Sequence, residues 1–94
     1  MITLPIKKQW FDRIVSGEKR EEYREDTPYY QSRFDRYIGI PVQVKFRNGY
    51  LKNSPSVVCT VVAHRGAGRP EWGAEPNKSY IVLNILKVKR MSRI

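Results

Sequence analysis

Only one cysteine and one histidine occur in the chain, Cys59 and His64, and no apolar run reaches the length of a membrane span. A lone cysteine excludes an internal disulfide and is typical of a reducing compartment. One histidine five residues from the cysteine excludes the usual His/Cys zinc arrangements, so we expect no metal and no cofactor. The first residues place a basic pair after a very short apolar stretch, which is the wrong order for a secretory signal. We therefore expect a cytoplasmic protein without a membrane partner.

The motifs of several common enzyme classes are also missing. There is no Gly-rich loop followed by Lys and Ser or Thr, so an ordinary NTPase site is excluded. Gly66-Ala67-Gly68 is too short to match a dinucleotide fingerprint. A Ser-His-Asp triad would have to use His64, and the aspartates lie in unrelated contexts. Cys59 lies in an apolar run, which favours a buried, unreactive thiol over a nucleophile.

Acidic residues are scarce in the second part of the chain. The net charge is +9, yet residues 1–35 hold seven basic and seven acidic side chains and so balance. Residues 36–94 hold eleven basic and two acidic side chains and therefore carry the whole excess. Such an uneven basic surface attracts polyanions by Coulomb force and by counterion release. The expected partner is RNA or a nucleotide, and no protein partner is identifiable.

The pattern of the 94 residues predicts one domain spanning residues 1–94. Apolar and β-branched runs alternate with two amphipathic stretches near the start, which indicates an α+β fold, a small β-barrel of about five strands with two short helices. The predicted strands are 2–6, 18–25, 42–46, 56–64 and 79–89, with a hairpin at Asn48-Gly49 and a loop over 66–77. The predicted helices are 7–16, ended by Gly17, and a second one that begins after Thr27, carries Tyr30, Phe34, Tyr37 and Ile38, and stops at Gly39.

The segment after the first predicted helix carries a specific motif. Gly17, Lys19, Glu22 and Arg24 match the pattern Gly-x-Lys-x-x-Glu-x-Arg, and the aromatic pair Trp10-Phe11 precedes them. This pattern resembles the ASCH family (activating signal cointegrator homology), and the resemblance extends over the whole chain. It implies a PUA-like β-barrel and a protein that binds or modifies RNA.

Elementary geometry supports a site at the same place. Glu22 and Arg24 share one face of an extended strand, and Lys19 joins them only if the turn after Gly17 rotates it inward. A lysine offers a point charge for phosphate, an arginine a bidentate fork, and a glutamate an acceptor for a base amine. The alternative is a solvated strand whose charges pair with one another. If the site is functional, replacing Lys19 or Arg24 should weaken binding with little effect on stability.

Two aromatic residues are further candidates for contact with bases. Most aromatic side chains fit core positions, but Tyr29 lies on the other side of its predicted helix and Trp72 lies in the Gly-rich loop. Bases of single-stranded RNA stack on such rings. The basic segment 87–93 is either a contact for backbone phosphates or a frayed end.

Binding of RNA or a nucleotide through Lys19, Glu22, Arg24, Tyr29 and Trp72 is the leading hypothesis. The alternative is a hydrolase in which Lys19 and Glu22 are catalytic, either as a ribonuclease or as an amidohydrolase. One ASCH branch resembles an amidohydrolase acting on N4-acetylcytidine, but it carries threonines where this chain has Arg20 and Glu22. The sequence leaves open whether the protein is an enzyme, and an interaction-only role is the remaining class.

Overall fold

A computed structural model describes the backbone of residues 1–92 and the side chains of residues 1–89. The described residues form a small α+β fold with five strands and two short α-helices near the start of the chain. The strands are β1 (Ile2–Ile6), β2 (Glu21–Glu25), β3 (Val42–Asn48), β4 (Ser56–Ala67) and β5 (Ser79–Ser92). The helices are α1 (Lys8–Ser16) and α2 (Pro28–Phe34), with 3₁₀ turns at Asp35–Tyr37 and Pro70–Trp72. No helix in this part of the chain is long and apolar enough to cross a membrane.

The five strands form one sheet in the order β1-β3-β4-β5-β2. β1 runs parallel to β3, and the other neighbouring pairs are antiparallel. The alternation of side chains places every second residue of these strands on an inner face, where α1 and α2 add apolar residues. The main core consists of Leu4, Ile6, Phe11, Ile14, Phe34, Val44, Phe46, Val57, Cys59, Val61, Ala63, Ile81, Leu83 and Ile85.

A second, smaller apolar cluster lies on the other face of β5. Tyr80 and Val82 pack there with Ala74 and against Tyr23 of β2. The predicted division of β5, with Tyr80 and Val82 on one face and Ile81, Leu83 and Ile85 on the other, is therefore confirmed.

The sheet curls until its two edges approach each other. β1 and β2 are the outermost strands, yet Arg24 Nη2 of β2 donates a hydrogen bond to the Pro5 carbonyl of β1 at 2.9 Å. A flat sheet of five strands would separate these edges by roughly 19 Å, because neighbouring strands lie about 4.8 Å apart. The sheet is thus a half-barrel, and we call the junction of β1 and β2 the seam.

Both helices and the strand between them differ in their bounds from the sequence prediction. α1 begins at Lys8 and ends where predicted, at Gly17 with φ +87°. The second helix ends at Phe34, so Tyr37 lies in the 3₁₀ turn and Ile38 beyond it. β2 begins at Glu21 rather than at residue 18, because the chain is still reversing direction after Gly17.

The predicted hairpin and loop also differ from the structure. Asn48-Gly49 ends β3, but the connection to β4 continues to residue 55 instead of closing as a tight two-residue turn. The Asn48 N–H donates to the Pro55 carbonyl at 2.8 Å, and strand pairing resumes at Arg47 and Ser56. β4 extends three residues further than predicted, to Ala67. The basic segment from residue 87 to 92 is part of β5, and Arg93 lies outside the described residues.

Candidate functional site at the seam

An open cleft with a volume of about 340 Å³ lies at the seam. Its walls come from β1, the start of α1, β2 and the connection between β3 and β4. The lining residues are Pro5, Ile6, Lys7, Trp10, Glu22, Arg24 and Tyr50. The cleft therefore combines one carboxylate, two cations and two aromatic rings, and its volume falls in the range of small-ligand pockets.

Glu22 is the acidic group of the cleft, and basic groups hold both of its oxygens. Glu22 Oε2 accepts a hydrogen bond from Arg24 Nη2 at 2.7 Å, and Oε1 lies 3.4 Å from Lys19 Nζ. The side chain is only 10% exposed. A carboxylate has about four lone-pair positions, so two fixed partners leave acceptor capacity for a ligand.

Arg24 joins the two edges of the sheet. In addition to its bonds to Glu22 and the Pro5 carbonyl, its Nη1 donates to the Tyr30 hydroxyl at 3.3 Å. The guanidinium carbon also lies 5.8 Å from the centre of the Tyr30 ring. Its Nε is buried without a hydrogen-bond partner among the described residues. The planar fork is thus held rigidly between β1, β2 and α2.

Lys19 is brought inward by the turn after α1. The Gly17 N–H donates to the Ile14 carbonyl at 3.1 Å, and the Lys19 N–H donates to the Arg13 carbonyl at 2.9 Å. The left-handed conformation of Gly17 makes this reversal possible. The sequence-based requirement that the turn rotate Lys19 toward Glu22 is therefore met.

The Lys19 ammonium is fully buried behind Glu22. Its Nζ donates to the Trp72 carbonyl at 2.5 Å and lies 4.9 Å from the ring centres of both Trp10 and Tyr23. Burial lowers the pKa of Lys19, and the nearby charge of Glu22 only partly opposes this effect. Since its contacts enclose it, Lys19 does not line the cleft with Glu22 and Arg24.

The structure thus brings Lys19, Glu22 and Arg24 together but places Tyr29 and Trp72 elsewhere. Tyr29 is 58% exposed and lies under the Arg33 guanidinium at 4.5 Å, outside the residues that line the cleft. The Trp72 ring lies under Arg69 at 5.1 Å, and its backbone carbonyl, not its ring, reaches the cluster.

Sequence reasoning missed Lys7, Trp10 and Tyr50 as cleft residues. Trp10 is partly buried and packs against the core, as an aromatic residue of an amphipathic helix is expected to do. Tyr50 is 86% exposed in the connection between β3 and β4. Tyr50 directly follows Asn48-Gly49 in a predicted turn, and this position indicates an exposed side chain that could contact a ligand. Its proximity to Glu22 depends on closure of the sheet, which has no local signal.

A metal site and a reactive thiol are the other two chemistries that the sequence analysis considers. Among the described residues, no three His, Cys, Asp or Glu side chains come close enough together to hold a metal ion. Burial raises the pKa of the Cys59 thiol to about 11, as expected for an unreactive core cysteine.

No family model, no curated protein and no solved structure matches this chain. A functional assignment therefore rests on the residues of the cleft and on the distribution of charge.

Proposed function

We propose that the chain is an RNA- or nucleotide-binding domain of the ASCH type, with a PUA-like barrel, and that it binds its ligand in the cleft at the seam. The observation that carries this proposal is the composition of the cleft. One partly satisfied carboxylate, Glu22, lines the cleft together with two aromatic rings, Trp10 and Tyr50, and two basic residues, Arg24 and Lys7. These are the groups that recognise the edge, the faces and the phosphate of a nucleotide.

Each group has a distinct role in this proposal. The free lone pairs of Glu22 accept hydrogen bonds from an exocyclic amine or ring N–H of a base. Tyr50, which is 86% exposed, offers a surface on which the base stacks, and Trp10, whose ring lies close to Lys19 and Arg13, offers the part of its ring that lines the cleft. Lys7, which is exposed at the start of α1, contacts a phosphate.

The charges around Glu22 favour an anionic ligand. Two basic groups, Lys19 and Arg24, contact one carboxylate, so the cluster holds more basic than acidic groups. Both cations are held by hydrogen bonds before any ligand arrives, so little side-chain freedom is lost on binding.

The alternative, a hydrolase of the ASCH class, has less support from the geometry. A nucleophilic or basic lysine must reach the reacting atom. Here the Lys19 ammonium lies behind Glu22, enclosed by two rings and a backbone carbonyl. Burial lowers the pKa of Lys19, but its side chain is fully buried and does not line the cleft.

Two exposed tyrosines provide a matched test of the proposal. Tyr50 lines the cleft and Tyr29 does not, although both are exposed. We expect Tyr50→Ala to weaken binding of single-stranded RNA about tenfold, the loss of one stacking contact, and Tyr29→Ala to leave it unchanged. The measurement is fluorescence anisotropy of labelled RNA, with thermal melting to show that both variants are folded.

Glu22→Gln provides the test of base recognition. It preserves the shape of the side chain but replaces one acceptor oxygen by a donor, so we expect RNA affinity to fall by about tenfold. Equal affinity of the wild type, Tyr50→Ala and Glu22→Gln would contradict the proposal, since the cleft would then take no part in binding.

A further inference from the structure

Four basic residues lie on the outer face of the sheet, opposite the core. On β3, Val44 and Phe46 point inward, so Lys45 and Arg47 lie on the outer face. On β5, Val88 pairs with the buried Cys59 and packs against the core, so Lys87 and Lys89 lie on the outer face as well. We call Lys45, Arg47, Lys87 and Lys89 the outer basic stripe.

The outer basic stripe begins beside the cleft. Arg47 of β3 is paired with Pro5 of β1, and Pro5 lines the cleft. Lys45 follows two residues away on the same face of β3. The next strand in the sheet is β4, where Thr60 is paired with Gln43 of β3 and with Lys87 of β5. The stripe therefore extends over the outer face from β3, the neighbour of β1, to β5.

No acidic residue lies near the stripe along the chain. Residues 36–70 and 76–94 contain neither Asp nor Glu. None of the four stripe cations forms an ion pair within the part of the chain whose side chains are described, and Arg47 Nε is buried there without a hydrogen-bond partner. Other cations have carboxylate partners, as in the pairs Lys8–Asp12 and Lys78–Glu25. The stripe is thus a surface on which, among the described residues, no carboxylate compensates the positive charge.

We propose that the outer basic stripe binds the phosphate backbone of a single-stranded RNA whose base occupies the cleft, so that the ligand is an RNA strand and not a free nucleotide. This inference rests on the proposed function of the cleft. Across β3 and β4, three strand spacings separate β1 from β5, a distance of roughly 14 Å. By way of β2, the cleft residue Glu22 is paired with Leu83 of β5, and Lys87 lies four residues further along that strand, roughly 13 Å away. A mononucleotide in the cleft cannot cover either distance, whereas a strand with several phosphates can.

The test compares two variants that remove the same charge. Lys87→Gln with Lys89→Gln removes two cations from the end of the stripe farthest from the cleft. Lys8→Gln with Lys78→Gln removes two cations that have acidic partners elsewhere. Single-stranded RNA long enough to reach β5 is titrated at several salt concentrations, and cytidine and adenosine monophosphates are titrated in parallel.

We expect the stripe variant to reduce the slope of log K against log salt by about 1.4, the value for two lost phosphate contacts with a single strand. Its affinity for the monophosphates should equal that of the wild type. The control variant should retain most of the wild-type slope. Melting curves verify that both double variants are folded.

Other outcomes would overturn this inference, and they differ from the result expected if the cleft does not bind RNA. If both double variants reduce the slope equally, net charge alone attracts the RNA and the stripe is not a binding surface. If the stripe variant keeps the wild-type slope while Tyr50→Ala loses affinity, the cleft binds the ligand and the stripe does not. If the stripe variant loses affinity while Tyr50→Ala and Glu22→Gln do not, the proposed function of the cleft fails instead.

Discussion

At the scale of single residues, Lys19 is a buried cation whose contacts come from distant parts of the chain. The Trp72 carbonyl, the Glu22 carboxylate and the rings of Trp10 and Tyr23 surround its ammonium. Removal of one member of a buried ion pair is costly, because the partner charge remains without compensation. The structure thus changes the sequence-based expectation that a substitution of Lys19 would hardly affect stability.

We predict that Lys19→Ala lowers the free energy of unfolding by roughly 3 kcal/mol. Lys19→Met, which fills most of the same volume, should recover part of this loss. Urea denaturation measures both variants. An alanine variant as stable as the wild type would show that the ammonium is not held as the contacts indicate.

The lowered pKa of Lys19 adds a pH dependence to this comparison. Because the folded state binds this proton less tightly than the unfolded state, the contribution of Lys19 to stability rises with pH in the window between its lowered pKa and the ordinary lysine pKa of 10.5. The difference in unfolding free energy between the wild type and Lys19→Met should therefore change in favour of the wild type across that window.

The identity of the central residues could be predicted from the sequence, but their accessibility could not. The motif spacing marked Lys19, Glu22 and Arg24, and the turn at Gly17 explained how they meet. Whether Lys19 faces solvent or the interior depends on Trp72, which is 53 residues away in the chain. No local pattern specifies such a contact.

At the scale of elements, Arg24 fastens β2 to β1 across the seam. These strands are at opposite ends of the sheet order and share no backbone ladder. The guanidinium donates to the Pro5 carbonyl and to Glu22, and it contacts Tyr30 of α2. One side chain thus contributes to closure of the half-barrel and to the shape of the cleft.

We predict that Arg24→Lys weakens the contact between β1 and β2 at the seam. A lysine ammonium lacks the planar guanidinium that donates to both the Pro5 carbonyl and the Glu22 carboxylate. The backbone amides of β1 should exchange hydrogen faster, while those in the centre of β4 should keep their wild-type protection. Arg24→Ala should have the same effect and lower the free energy of unfolding by about 2 kcal/mol, which changes the sequence-based expectation that a substitution of Arg24 would hardly affect stability. Unchanged exchange in β1 would contradict the role of Arg24 in joining the edges.

Helices and strands were largely predictable, and their connections were not. Period-two and helical patterns identify both helices and all five strands, because burial of one face imposes these periods. Asn48-Gly49 indicated a tight turn, yet the chain continues to Pro55 before it pairs again. The order of the strands and the contact of β1 with β2 follow from packing of the whole sheet, so the cleft residues Lys7 and Tyr50 could not be deduced locally.

At the scale of the whole molecule, charge and the cleft point to the same class of ligand. The excess of positive charge lies in residues 36–94, and four of those cations form the outer basic stripe that begins beside the cleft. Coulomb attraction brings a polyanion to the surface but does not select a base. In the proposed function, the aromatic rings and the carboxylate of the cleft make that selection.

The two tryptophans of the chain allow the central claim, binding in the cleft, to be measured directly. Trp10 lines the cleft, and Trp72 does not. We predict that titration of the ¹⁵N-labelled protein with single-stranded RNA shifts the Trp10 indole N–H signal and the backbone amides of Lys7, Glu22 and Arg24. The Trp72 indole signal should move much less. Shifts confined to the outer face of β3 and β5, or equal shifts of both indole signals, would contradict binding in the cleft.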